Sequence, residues 1–208
     1  MKWKFNPWLF VGAVLVVPIT FFLVISWYEN NQQQLPVLAV NTNDQISFSL
    51  FNQRGEVVTN DSFKNKILVV DFFFSHCPSV CPKMTQNLKL VQNAFADKST
   101  ILINSFSIDP ERDSVARLAH FASRFQVSGN WNFLTGKKEV IYRLARKIYM
   151  VDASEGDGGP EDFIHSDKLV LVDPFGRIRG FYNGTERSDA EQLIKDIERL
   201  EKEKTKAD

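Results

Sequence analysis

The chain has 208 residues, in which 25 lysines and arginines balance 25 aspartates and glutamates. A net charge of zero with no basic cluster excludes the electrostatic footprint of a nucleic-acid binder. No internal repeat is visible, and the roughly 170 residues that follow an N-terminal segment and linker suit one domain with its own core.

From Leu9 to Trp27 the chain carries no charge. A run of that length spans a bilayer as a helix. Pro18 would kink it, which membrane helices tolerate, and Trp8 and Trp27-Tyr28 bracket it like interfacial aromatics. Lys2 and Lys4 precede the run and Glu29 follows it, so the positive-inside rule puts the N-terminus in the cytoplasm. The run is long for a cleaved signal peptide, and no Ala-x-Ala-like site precedes Glu29. No Arg- and Ser-rich organelle presequence is present. The expectation is a cytoplasmic N-terminus and transmembrane anchor over residues 1–29, then a polar linker over 30–41 containing Gln32-Gln33-Gln34 and Pro36. A domain over 42–208 would stand on the periplasmic side of a bacterial inner membrane. Exported cysteines tend to oxidise, so metal binding there would need a thiol reductant.

Within the domain, Ile46–Leu50 and Glu56–Thr59 predict a hairpin turning at Asn52-Gln53-Arg54-Gly55. Ile67–Phe74 reads as a continuously apolar central strand. Pro82–Phe95 has helical spacing at Leu88, Val91 and Phe95. Thr100–Ser107 is a second apolar strand, and Asp113 or Ser114 can cap a helix running to Phe125. Trp131–Leu134 is a short strand, followed by a helix over about Lys137–Ile148. Asp152–Asp162, rich in glycine and acid, predicts a mobile loop. Leu169–Val172 and Ile178–Tyr182 form a hairpin around Asp173-Pro174-Phe175-Gly176. The last helix opens on a capping box, Ser188 and Glu191, and the charged tail from Glu198 reads as its frayed end. The order β-α-β-α, then α-β-β-α, matches an elaborated thioredoxin-like α/β fold with an N-terminal hairpin and insertions.

The only two cysteines, Cys77 and Cys81, stand where the apolar strand meets the helix, each followed by proline. Strand, then two thiols at a helix start, is the layout of a thioredoxin-like active site, but three residues separate the thiols where thioredoxin has two. Positions i and i+4 near a helix start fall on one face, and the unpaired N–H groups there favour thiolate. Pro82 suits the first helical position. Two converging thiolates are soft ligands suited to Cu(I), although Zn(II) accepts them too. The pair can also close as a disulfide where the backbone permits. A purely structural bridge would close a very short loop and stabilise little. Two inert buried cysteines would leave the flanking prolines and the strand-to-helix placement without a reason.

Two thiolates leave Cu(I) room for a third donor. His76 adjoins Cys77, so its ring is free to point away from the sulfurs, and His120 lies in the helix ending at Phe125. His165 follows the glycine-rich loop and precedes the strand at Leu169, a region that passes beside the cysteine pair in thioredoxin-like folds.

Four elements carry a specific likeness: Cys77-Pro78-Ser79-Val80-Cys81-Pro82; Ser107-Ile108-Asp109-Pro110-Glu111-Arg112-Asp113; Trp131 to Gly136; and His165-Ser166 ahead of Asp173-Pro174-Phe175-Gly176. From about Leu50 to the last helix the chain resembles the SCO/SenC copper-chaperone family, involved in assembly of cytochrome c oxidase. The resemblance implies that Cys77, Cys81 and His165 bind copper, as Cu(I) first and Cu(II) second. It implies delivery to the binuclear copper site of oxidase subunit II, with a thiol reductant and another copper chaperone as further partners. Many members carry an acidic residue just before the histidine; here Ile164 stands there, with Asp162 and Asp167 nearby, so the carboxylate that would orient the ring is displaced. Asp109 and Arg112 suit a structural ion pair or a partner surface. The alternative to copper delivery is a thiol–disulfide oxidoreductase, in which exposed Cys77 attacks and Cys81 resolves. A thiol peroxidase is a third reading that rests on fold alone.

Overall fold

The computed structural model describes residues 14, 16–26, 34–40, 47–152, 164 and 166–205. It divides into two compact units, 1–35 and 36–208. In the first unit residues 16–26 are helical, with Thr20 Oγ1 donating to the carbonyls of Val16 and Val17. Among the described residues no helix is long and apolar enough to cross a membrane. Residues 9–13, 15 and 27 of the expected span lie outside the described residues, as do 30–33 and 41 of the linker.

The second unit is built on one eight-stranded sheet: β1 (Ala39–Val40), β2 (Ser49–Asn52), β3 (Val57–Thr59), β4 (Ile67–Phe73), β5 (Ile101–Ser107), β6 (Trp131–Thr135), β7 (Lys168–Val172) and β8 (Arg177–Asn183). Their spatial order is β1-β8-β7-β4-β5-β6-β2-β3. β4, β5 and β6 run parallel, and the other neighbours pair antiparallel. The helices are α1 (Val80–Ala94), α2 (Val115–Arg124), α3 (Lys138–Arg143) and α4 (Arg187–Thr205).

One expectation about the N-terminal part changes. Ala39 and Val40, assigned to the linker, pair with Ile178 and Arg177 of β8; two residues are too few to carry a strand pattern. The expected β2–β3 hairpin is present, and it joins the sheet because β2 also pairs with β6 through Phe51 and Asn52.

Every residue of β4 is buried, as befits a strand flanked by β5 and β7 with side chains on both faces. Neighbouring residues project to opposite faces. Phe72 stacks on Phe106 at 5.3 Å and meets Tyr149 at 6.1 Å. Phe73 meets Phe121 of α2 and Phe133 of β6 at 5.3 and 5.0 Å. β4 is therefore clamped from both sides just before the chain turns into the cysteine segment. The strand is not continuously apolar, however: Asp71 lies within it, 3% exposed.

The predicted helix over 137–148 is α-helical only to Arg143. Leu144–Ile148 is a π-helical turn, in which the Tyr149 N–H donates to the Leu144 carbonyl at 2.9 Å. Leu144, Ala145, Ile148 and Tyr149 are all buried, and the wider turn keeps these four on the core. Helix α4 begins at Arg187, so Ser188 is already inside it, and Glu191 pairs with Arg187 at 2.9 Å rather than closing a capping box. The expected loop 152–162 falls, after Asp152, outside the described residues. Asp152 itself lies 3.7 Å from the Arg146 guanidinium.

Candidate functional site: a dithiol at a strand-to-helix turn

Helix α1 starts at Val80, two residues earlier than the sequence implied, so Pro82 is the third helical residue. It still lies in the first turn, where a missing N–H leaves no bond unmade. Cys77 therefore precedes the helix, and helical periodicity is not what brings the two sulfurs together. A turn does this: the Cys77 N–H donates to the Phe74 carbonyl at 3.2 Å. That folds Cys77 back over the helix start, where the Cys81 N–H donates to Cys77 Sγ at 3.4 Å. The sulfur thus serves one of the first-turn donors that has no partner within the helix.

The two thiols differ sharply. Both are free, Cys77 partly exposed and Cys81 buried. Partial burial opposes ionisation of Cys77, but hydrogen bonds from the Cys81, Ser79 and Val80 amides and from the Cys81 thiol outweigh it and set its pKa below that of an ordinary thiol. Burial pushes the Cys81 thiol well up, and the charges on Cys77 and Asp71 add to the rise. The outer sulfur is therefore the more readily ionised of the two, and the inner one the more strongly held in its protonated form.

Asp71, buried in β4, is a minor contributor to the raised pKa of Cys81. Burial lifts the Asp71 pKa to about 7, against the opposing hydrogen bond from Ser105. The Ser105 hydroxyl donates to Asp71 Oδ1 at 2.5 Å, and Trp131 Nε1 donates to Ser105 Oγ at 2.9 Å. Sequence reading missed this residue, although a lone carboxylate inside an apolar strand was a visible signal.

His76 does not join the sulfurs. Its Nε2 lies 3.3 Å from Asp109 Oδ2 and 3.1 Å from an Arg112 nitrogen, and its ring sits edge-on to Phe74. Its Nδ1 is buried with no hydrogen-bond partner among the described residues. Asp109 and Arg112 do approach, at 3.8 Å, but Arg112 is 72% exposed and Asp109 is shared with His76, so the contact contributes little as an ion pair. His120 is exposed on α2. His165 lies outside the described residues. Among the described residues no group of three or more His, Cys, Asp or Glu side chains is assembled to hold a metal.

A cavity of about 440 Å³ opens beside the thiols, lined by Phe72, Phe74, Cys77, Cys81, Ile108 and Ile164, with Ser166 and Asp167 also on its wall. The phenylalanines ahead of the cysteines thus serve both core and site. Two sulfurs, one reactive and one shielded, on an apolar wall can form and break a disulfide or hold a soft cation.

The fold and the turn define a thioredoxin-like α/β domain with a dithiol at its strand-to-helix junction. The SCO1/SenC family model matches residues 39–202, and the chain belongs to that family. It is 33% identical over 153 residues to the SCO1 protein homolog of Bacillus subtilis, covering 72% of this chain and 79% of that protein. Among solved structures it superposes on BsSco, described as a Sco-family cytochrome c oxidase assembly protein with a disulfide switch. There the TM-score is 0.66 at 31% identity, over 80% of this chain and 97% of that one. It also superposes on copper-bound ScoI of Bradyrhizobium japonicum, with a TM-score of 0.61 at 26% identity, over 78% and 99% of the two chains.

Proposed function

We propose that this protein is a copper chaperone for cytochrome c oxidase assembly, holding Cu(I) as cargo through Cys77, Cys81 and His165 and passing it to the binuclear copper site of subunit II. The observation that carries this reading is the shared cavity: Ile164 and Ser166, the neighbours of His165 in the chain, line the same space as Cys77 and Cys81. Two thiolates and an imidazole satisfy Cu(I) and leave it open to an incoming ligand. A partner thiolate adds as one of the chain's own donors leaves. The copper-bound Bradyrhizobium relative supports the choice of metal. The uncharged run Leu9–Trp27 supports single-pass anchoring in a bacterial inner membrane, with the domain outside the cytoplasm. Oxidation of the pair in that space would block loading until a thiol reductant supplied the two electrons that restore both thiols, after which another chaperone could bring Cu(I).

The test is an anaerobic Cu(I) titration of the reduced full-length chain against a competing chelator. One copper per chain is expected, held at least tenfold less tightly by His165→Ala and Cys81→Ser. Equal affinity in His165→Ala would remove that residue from the site.

A second reading, thiol–disulfide exchange, draws on the asymmetry of the two thiols, which is the pattern of an attacking and a resolving cysteine. The disulfide switch of the BsSco relative favours it as well. Reduction of the oxidase copper-site cysteines without added copper, unaffected by His165→Ala, would support this reading over the first.

A further inference from the structure

The end of the sheet away from the thiols carries apolar side chains that the fold does not use. In the turn between β7 and β8 the Gly176 N–H donates to the Asp173 carbonyl at 2.9 Å, and the Phe175 N–H to Asp173 Oδ1 at 3.0 Å. Asp173 builds this turn, and nothing in it needs an aromatic. Phe175 nevertheless stands at the tip, 69% exposed, with the Arg177 guanidinium carbon 5.0 Å from its ring centre. Val40 lies opposite Arg177 in the β1–β8 pairing. Ala39 packs on the core, so Leu38 and Val40, on either side of it, project the other way. They are 51% and 66% exposed. Leu38, Val40 and Phe175 thus line one margin of the domain, with the Arg177 guanidinium among them. Exposed apolar side chains grouped in this way mark a contact surface.

The path of the chain identifies what covers that surface. Arg179 Nε donates to the Pro36 carbonyl at 3.2 Å, and the Leu38 N–H to the Ile178 carbonyl at 2.8 Å, so the polypeptide joins the domain at this margin. Tyr28, in the aromatic bracket that closes the uncharged run, precedes Val37 by nine residues, a reach of at most about 32 Å. We infer that the margin rests on the bilayer surface, with Phe175, Val40 and Leu38 entering the boundary between headgroups and acyl chains and Arg177 at headgroup level. The inference rests on the anchoring of Leu9–Trp27 proposed above.

Such docking orients the thiols. Leu68 pairs with Val172, so the Phe175 turn lies beyond the start of β4, whereas Cys77 follows the end of that strand. From Ile67 to Phe73 a strand rises about 20 Å. The thiol cavity therefore faces away from the lipid, at a height suited to a partner's extramembrane domain rather than to its membrane-spanning helices.

The test uses the full-length chain reconstituted in vesicles of phosphatidylcholine and phosphatidylglycerol, with and without lipid brominated at a shallow acyl position. Phe175→Trp reports on the margin, and Val80→Trp, at an exposed position between the cysteines, reports on the thiol end. The emission of the unsubstituted chain is subtracted from each. The tryptophan added in Phe175→Trp should lose about half its emission to bromine and that in Val80→Trp almost none, because only a group at the boundary meets the quencher. Adding Val40→Asp to Phe175→Trp should restore most of the loss. Equal quenching in the two variants, or none in Phe175→Trp, overturns the inference. Emission from Phe175→Trp that is blue-shifted but unquenched overturns it as well, and assigns the margin to a protein contact. If Phe175→Trp does not fold, Leu38→Trp on the same margin decides by the same outcomes. Flotation of the vesicles tests the anchor separately. A chain that floats with them unquenched keeps the anchor and loses the docking; one that does not float loses both.

Discussion

Replacing Asp71 by asparagine should make the protein more stable at alkaline pH and flatten its pH profile. In the fold Asp71 keeps its proton up to about pH 7, whereas its ordinary value is 3.8. Between those values the folded state binds a proton that the unfolded chain has released, so stability falls as pH rises. The group's unfavourable contribution is absent below about pH 4 and complete above about pH 7. A displacement of that size corresponds to about 4 kcal/mol, an upper bound of order-of-magnitude precision. An asparagine would keep the Ser105 bond through its carbonyl but bury two new donors, at a cost of about 1–3 kcal/mol. The expected net gain is therefore about 1–3 kcal/mol at pH 8, changing to a net loss at pH 4, where aspartate is neutral as well. Urea unfolding at half-unit steps from pH 4 to 8 measures this directly. Parallel wild-type and Asp71→Asn curves across that range would refute the reasoning. Cys81 should stay unreactive in the variant, because burial is the larger cause of its raised pKa and the Asp71 charge a smaller one.

Arg179, 4% exposed, holds Asp173 at 2.9 Å and Glu203 of α4 at 2.7 Å, so Arg179→Met should cost about 3 kcal/mol in urea unfolding by removing one of the two guanidinium partners of buried Asp173 and the partner of Glu203. A loss under about 1 kcal/mol would show that Arg177, 2.7 Å from the same oxygen, suffices alone. Gly180→Ala would put a methyl group 2.5 Å from the Tyr182 hydroxyl, which donates to Asp196 at 2.9 Å. The clash should cost about 2 kcal/mol, and Tyr182→Phe should not relieve it, because the ring carbons Cε2 and Cζ lie 2.8 Å from the same methyl.

The parts of the fold that sequence disclosed are those with long, regular patterns. Ile67–Phe74 and Thr100–Ser107 emerged as the paired central strands β4 and β5, and Leu169–Val172 with Ile178–Tyr182 as the β7–β8 hairpin. The junction of strand, two thiols and helix was equally legible. What escaped was decided by partners distant in the chain. Val40 is a strand only because Arg177 lies opposite it. Asp113 looks like a cap until Ser75, 38 positions away, proves to be its donor. Asp109 and Arg112 do approach as the expected ion pair, but His76, in another segment, shares the aspartate. The π turn was invisible because apolar spacing over five residues cannot distinguish it from an α-helix.

That π turn constrains how this protein's sequence can drift. A π turn holds nearly one residue more than an α turn over the same arc. Adding a further residue anywhere in Leu144–Ile148 would exceed what the widened turn absorbs and rotate everything beyond it by about 100°. Tyr149, which meets Phe72 at 6.1 Å and Phe106 at 5.7 Å, would swing away from the aromatic face that backs the cysteine turn. The segment can exchange one apolar side chain for another and can shed its extra residue by closing to an α turn, but a lineage that lengthened it would have had to rebuild the wall behind its thiols.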